Sequence, residues 1–203
     1  MEHLHKIGII GGTFDPIHIG HLIIAESALS ELELDKVIFM PSGNPPHKSI
    51  KRITDFRTRS DMVKLSIDNN ENFVYSNFEI QRDGYIYTSD TLRLLKEQQP
   101  DWDLHFIIGA DSLFYLEQWH EPEKIFQRCR IVVADRDNSD EKIKSVVEHL
   151  NMKYNTNIYY INSPLVNISS SLIRERVYNR KSIKYLVTPD VENYITSNKL
   201  YMV

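Results

Sequence analysis

Two histidines three residues apart, His18 and His21, follow a glycine pair and a threonine in the stretch Gly11-Gly-Thr-Phe-Asp-Pro-Ile-His-Ile-Gly-His21. Glycines such as Gly11 and Gly12 let a backbone approach a ligand with no Cβ in the way. The first turn of a helix offers unpaired N–H groups and the positive end of a dipole to an anion. Imidazoles at i and i+3 share a helix face there. Phosphate recognition is the chemistry these residues support together. Two other readings stand beside it. One is a zinc site, for which H-x-x-H supplies only two of the three or four donors required; the other is a structural pair of exposed rings. The spacing of Gly8, Gly11 and Gly12 departs from G-x-G-x-x-G, which argues against a hydride-transfer dinucleotide site. Asp15, ahead of Pro16, reads as a brace for the turn rather than a proton acceptor.

Further candidates are spread along the chain. Lys48 ends the stiff Pro45-Pro-His-Lys48 and is either a solvated lysine or a cation for phosphate. Tyr87-Thr-Ser-Asp-Thr91 opens a helix, with Ser89 or Asp90 as its cap or Thr88 offering hydroxyl and N–H to a ligand. Gly109-Ala-Asp111 follows an apolar run, and Trp119 comes one short helix later, as core residue or ligand platform. Ile168-Ser-Ser-Ser-Leu-Ile-Arg174 reads as a serine-capped helix start. The amides around Ser169 and Ser170, with Arg174, could grip distal phosphates.

These residues need elements to hold them. Short apolar runs at 7–10, 37–40, 73–75, 104–108, 131–134 and 158–161 read as buried strands. Amphipathic stretches at 22–32, 55–67, 90–98, 122–127 and 141–150 lie between them. Such alternation predicts an α/β, Rossmann-like doubly wound parallel sheet with helices on both faces. The site should sit at the carboxyl ends of the strands, near the switch point. The 41–54 connection is longer than usual and rich in Pro, Gly and Asn. Helices at 169–178 and 189–197 make a small C-terminal part from about 168 to 203, and no linker or repeat divides the 203 residues.

Composition narrows the options. With 24 basic against 28 acidic residues the net charge is −4, which argues against a nucleic-acid partner that needs a basic field. A hydrophobic share of 41% is enough for a core. The lone Cys129 excludes an internal disulfide or a multi-cysteine metal cage and reads as a buried small hydrophobe. No apolar run nears the ~18 residues of a membrane span, and no signal-peptide pattern opens the chain. A cytoplasmic protein without a membrane partner is the expectation.

Taken together, the Gly11–His21 stretch, Pro45-Pro-His-Lys48, Tyr87-Thr-x-Asp-Thr91, Gly109-Ala-Asp-Ser-Leu113 with Trp119, and Ile168-Ser-Ser-Ser-x-Ile-Arg174 resemble the bacterial nicotinate-nucleotide adenylyltransferases. That family belongs to the nucleotidyltransferases marked by an (H/T)xGH signature. The resemblance runs nearly end to end, through Tyr185-Leu-Val-x-Pro189 and the tail Val191–Tyr201, and implies one nucleotidyltransferase domain over residues 1–203. It implies transfer of AMP from ATP to nicotinate mononucleotide in NAD biosynthesis, with Mg²⁺ arriving on ATP and no resident metal. The implied catalytic groups are His18, His21, Lys48 and Arg174. The implied ATP contacts add Gly11, Gly12, Thr13, Phe14, Gly109, Asp111, Ile168, Ser169 and Ser170. The acceptor would meet Thr13, Lys48, Thr88, Asp111 and Trp119. Three positions depart from the family pattern: Ile86 where a serine is common, Arg130 where a histidine is common, and Asp135-Arg-Asp-Asn138 in a turn. Among rivals, pantetheine-phosphate adenylyltransferases generally carry threonine at the place of His18. Class I aminoacyl-tRNA synthetases share His18-Ile-Gly-His21 but have a lysine-rich loop absent here. A nucleotide-sensing module would have no need of His18, His21, Lys48 and Arg174 together.

Overall fold

The computed structural model describes residues 4–43, 53–81, 84–135, 141–164 and 166–202; Lys48 and residues 136–138 lie outside them. Six described strands form one parallel sheet: β1 (His5–Gly12), β2 (Lys36–Pro41), β3 (Phe73–Tyr75), β4 (Trp102–Gly109), β5 (Arg130–Asp135) and β6 (Tyr159–Asn162). Their order is β3-β2-β1-β4-β5-β6, so the chain reverses its direction of winding between β1 and β4. The helices are α1 (Ile19–Glu31), α2 (Phe56–Ile67), α3 (Thr88–Gln98), α4 (Ala110–Leu113), α5 (Pro122–Arg128), α6 (Glu141–Tyr154), α7 (Ser170–Tyr178) and α8 (Pro189–Ser197).

Side chains alternate across the strands and so divide the core in two. Ile10, Val37, Phe39, Ile107, Val132 and Ile161 face one layer, with Ala25 of α1, Met62 of α2, Ile173 of α7 and Val191 of α8. Ile9, Ile38, Met40, Leu104, Phe106 and Val133 face the other, with Leu92 of α3, Leu113 of α4, Ile125 of α5 and Val147 of α6. The expected α/β sheet with helices on both faces is therefore the fold. The C-terminal helices pack into the same apolar layer as α1 and α2. Each large aliphatic side chain so buried contributes about 1.5–3 kcal/mol. Gly8 sits where the layer is tightest: a Cβ there would come within 2.9 Å of Leu34. Cys129 is buried, and burial pushes its thiol well above the usual range, so it is the inert small hydrophobe expected. No described helix is long and apolar enough to cross a membrane.

The starts of α5, α6 and α8 fall at the expected residues, while those of α1, α2, α3 and α7 differ by one to three residues. The α1 helix begins at Ile19, with His18 as its cap in extended backbone (φ −146°, ψ 168°). The α3 helix is capped by Tyr87 rather than by Ser89 or Asp90, which fall inside its first turn. Neither cap belongs to the Ser/Thr/Asp/Asn set that marks most helix starts.

Candidate active site

The strand ends at the switch point are glycines. β1 and β4 pair in register as far as Ile10 and Ile107, and two residues further each strand finishes, at Gly12 and Gly109. A Cβ at Gly109 would meet nothing within 4 Å, so this edge is open. Gly12 is different, because a Cβ there would lie 3.1 Å from the Phe14 ring. Phe14 turns the chain through the left-handed region (φ 50°) and buries its side chain, leaving only 2% exposed. Any nucleotide contact from Phe14 therefore comes from its backbone rather than its ring.

The turn then runs through a cis Asp15–Pro16 peptide to the histidines. His18 and His21 stack with ring centroids 3.7 Å apart and planes 26° from parallel. His21 also meets the Phe14 ring edge-on at 5.0 Å. The His18 N–H donates to His21 Nδ1 at 3.2 Å, so a neutral His21 carries its proton on Nε2. A Cβ at Gly20 would sit 3.1 Å from His18 Nδ1, which explains the glycine between the two histidines. Burial lowers the pKa of His18 to about 4. It holds His21 well below its ordinary value too, with the neighbouring His18 adding to the effect. Two rings that would repel if charged are thus both neutral at neutral pH, and they can stack.

Asp15 is the brace the sequence suggested. Its carboxylate accepts from the Thr54 N–H (3.1 Å) and from the Tyr201 hydroxyl (2.7 Å). Its carbonyl accepts from Arg174 Nη1 at 2.5 Å. Ser170 donates its hydroxyl to the Pro16 carbonyl (2.8 Å), while Ser169 caps α7 by accepting from the Leu172 N–H (3.1 Å). The Ile168–Arg174 segment is thereby held against the histidine turn, although some 150 residues separate them in the chain. This proximity brings the two sequence-predicted phosphate elements together.

On the other side of β1 lies a cleft of about 210 Å³. Gly11 and Gly12 form one edge; Thr88, Trp119 and Phe106 contribute further walls. The Trp119 indole meets the Phe106 ring edge-to-face at 6.1 Å. Sequence reasoning placed Thr88 and Trp119 here but missed Tyr87 and His120, whose rings pack 4.1 Å apart and also line the cleft. Asp111 is exposed in the first turn of α4, two residues after Gly109, and does not line the cleft.

Arg59 was also missed. It stands three and four residues before Met62 and Val63, on the inward face of α2, and only 2% of it is exposed. Its guanidinium donates to the carbonyls of Thr13 (2.6 Å), Ser42 (3.0 Å) and Thr54 (3.0 Å).

The profile of the Cytidylyltransferase-like family matches residues 9–176. A relative from Clostridium perfringens, named "Probable nicotinate-nucleotide adenylyltransferase", is 44% identical over 199 residues, which cover 98% of both chains. Another of that name from Lachnoclostridium phytofermentans is 39% identical over 200 residues, 98% of this chain and all of the relative. The nicotinic acid mononucleotide adenylyltransferase of Plasmodium falciparum, solved in complex with NaAD, shares the fold with a TM-score of 0.79. That match has 24% identity and covers 97% of each chain.

Proposed function

Because this chain belongs to the cytidylyltransferase-like family and, within it, to the nicotinate-nucleotide adenylyltransferases, we infer that it joins ATP to nicotinate mononucleotide. The products are nicotinate adenine dinucleotide and pyrophosphate, and the step belongs to NAD biosynthesis. The observation that carries this reading is the glycine turn itself. It has a stacked imidazole pair and Arg174 at its far end and an aromatic-walled cleft along its near edge. One end suits a polyphosphate, the other a flat ring.

An oxygen of the acceptor 5′-phosphate bonds to the α-phosphorus of ATP as the bond from that phosphorus to the α,β-bridging oxygen breaks. Pyrophosphate leaves with the electron pair. The nucleophile is already an anion at neutral pH, so positioning and charge neutralisation supply the rate. His21 donates its Nε2 proton as a hydrogen bond to a non-bridging α-phosphate oxygen, and His18 supports the same charge. As neutral rings they bring directional donors without the cost of a buried cation. Arg174 and Lys48 neutralise the β/γ- and acceptor phosphates. Gly12, Thr13 and Phe14 offer backbone and hydroxyl contacts, and Ile168, Ser169 and Ser170 supply the α7 end. Thr88 and Trp119 take the pyridine ring. Gly109 leaves room for the adenosine, and Asp111 serves its ribose or a metal-bound water.

Mg²⁺ enters with ATP as part of the substrate, since triphosphate oxygens and water satisfy most of its octahedral shell. Among the described residues no group of three or more His, Cys, Asp or Glu side chains could hold an ion. In this reading residues 1–203 act as one domain, supported by Ile173, Ile183, Val187 and Ile195 sharing a core layer with Ile10 and Phe39.

The direct test measures pyrophosphate released from MgATP with nicotinate mononucleotide, nicotinamide mononucleotide or phosphopantetheine as acceptor. Release with the first, and weaker or none with the others, is the expected result. Preference for phosphopantetheine, or no release with any acceptor, would overturn it.

A further inference from the structure

Among buried charged groups, Arg59 stands apart from every role assigned so far. Its three recorded hydrogen-bond partners are backbone carbonyls from three chain segments, those of Thr13, Ser42 and Thr54. Desolvating a guanidinium costs several kcal/mol unless most of its donors are satisfied. The five donors of a planar fork can reach three carbonyls at once, which a lysine cannot do with the same geometry. Two of those carbonyls lie at strand ends beside the candidate site: Thr13 follows β1, and Ser42 follows β2. The Ser42 N–H donates to the Gly12 carbonyl at 2.8 Å, which ties the two turns to each other.

A peptide group is planar and trans, with its N–H opposed to its C=O. Holding the Thr13 carbonyl toward Arg59 therefore aims the Phe14 N–H the other way. Holding the Ser42 carbonyl does the same for the Gly43 N–H. Among the described residues neither of these N–H groups has an acceptor, and Gly43 lines the cleft. Buried or half-buried N–H groups without partners are rare unless something else fills them.

We propose that Arg59 is a positioning residue for adenylyl transfer. It holds the carbonyls of Thr13 and Ser42 so that the N–H groups of Phe14 and Gly43 are presented to substrate phosphates. The proposal rests on the adenylyltransferase reading above. Arg59 itself touches no substrate; it acts through two peptide planes.

The test uses the full chain labelled with ¹⁵N and titrated with pyrophosphate, a product of the reaction. The amide signals of Phe14 and Gly43 should shift on titration in the unaltered protein. In Arg59→Lys, which keeps the charge but loses the fork, both shifts should shrink while the signals of the α1 first turn still respond. Steady-state kinetics of Arg59→Lys below its melting temperature should show kcat reduced about tenfold or more. A role confined to stability would lower the melting temperature and leave both amide shifts in place. Unmoved Phe14 and Gly43 signals in the unaltered protein would overturn the proposal even if Arg59→Lys cannot be folded. Failure of the adenylyltransferase reading shows separately, as absent pyrophosphate release by the unaltered enzyme.

Discussion

The phenol of Tyr201 donates a 2.7 Å hydrogen bond to Oδ1 of Asp15, although 186 positions separate the two residues. The C-terminal residues thereby brace the turn that carries the histidines. Asp15 is 4% exposed, so its carboxylate depends on such donors to offset its desolvation. Burial and the adjacent carboxylate push the Tyr201 phenol far above its ordinary pKa, and the proton stays where it is needed.

Tyr201→Phe removes that donor and leaves a buried carboxylate oxygen short of a partner. A loss of about 1–3 kcal/mol in unfolding free energy is expected, read from the urea midpoint. Turnover should fall with it, because the Asp15 turn positions His18. An unchanged midpoint would show that water replaces the phenol at no cost.

His18→Ala should lower turnover by about 10²–10³, equivalent to roughly 2.7–4 kcal/mol of transition-state stabilisation. KM for either substrate should change less, since the lost donor acts mainly on charge that develops during transfer. Turnover close to that of the unaltered enzyme would make this imidazole a bystander.

The buried histidines also tie stability to pH. The His18 pKa is lowered from 6.5 to about 4, and that of His21 is lowered as well. Between pH 6.5 and 4 the unfolded chain binds protons that the folded protein refuses. Stability from these rings is therefore complete above pH 6.5 and declines as the pH falls toward 4. The His18 contribution is about 3 kcal/mol over that window. Urea titrations at pH 7 and pH 5 should show the decline, and His18→Asn should lessen it. An equal decline in the variant would mean that other groups account for it.

Trp119→Ala removes an aromatic wall of the cleft. KM for the pyridine mononucleotide should rise by about tenfold to a hundredfold, the equivalent of about 1.4–3 kcal/mol of lost ring contact. KM for ATP should stay within about twofold, since the imidazole pair and Arg174 are untouched. If both constants rise together, Trp119 supports the fold rather than the ring.

Much of the fold was legible because apolar runs bounded by turn residues leave few alternatives. All six strands fall where the runs at 7–10 through 158–161 put them, with ends shifted by at most two residues. Helix starts were less legible because their caps are unusual: His18 at α1 and Tyr87 at α3 carry no capping signal in sequence. In the candidate site, the glycine turn, His18, His21 and the Ile168–Arg174 segment were legible from residue type and spacing, whereas Thr88 and Trp119 were assigned through the family resemblance. Arg59, His120 and Tyr201 were not legible. Helical spacing puts Arg59 on the same face as Met62 and Val63, but its carbonyl partners come from distant segments that spacing does not reveal.

Residue order alone determined the alternating β/α pattern, the glycine turn before paired imidazoles and the family that these motifs mark. Local propensity and periodicity are properties of neighbours in the chain, so they survive without coordinates. Only tertiary structure decided that both imidazoles are neutral, that Asp15 is satisfied by Thr54 and Tyr201, and that Arg59 holds Thr13 and Ser42. Each of these depends on desolvation or on contact between distant segments, and neither exists until the chain has closed around the site.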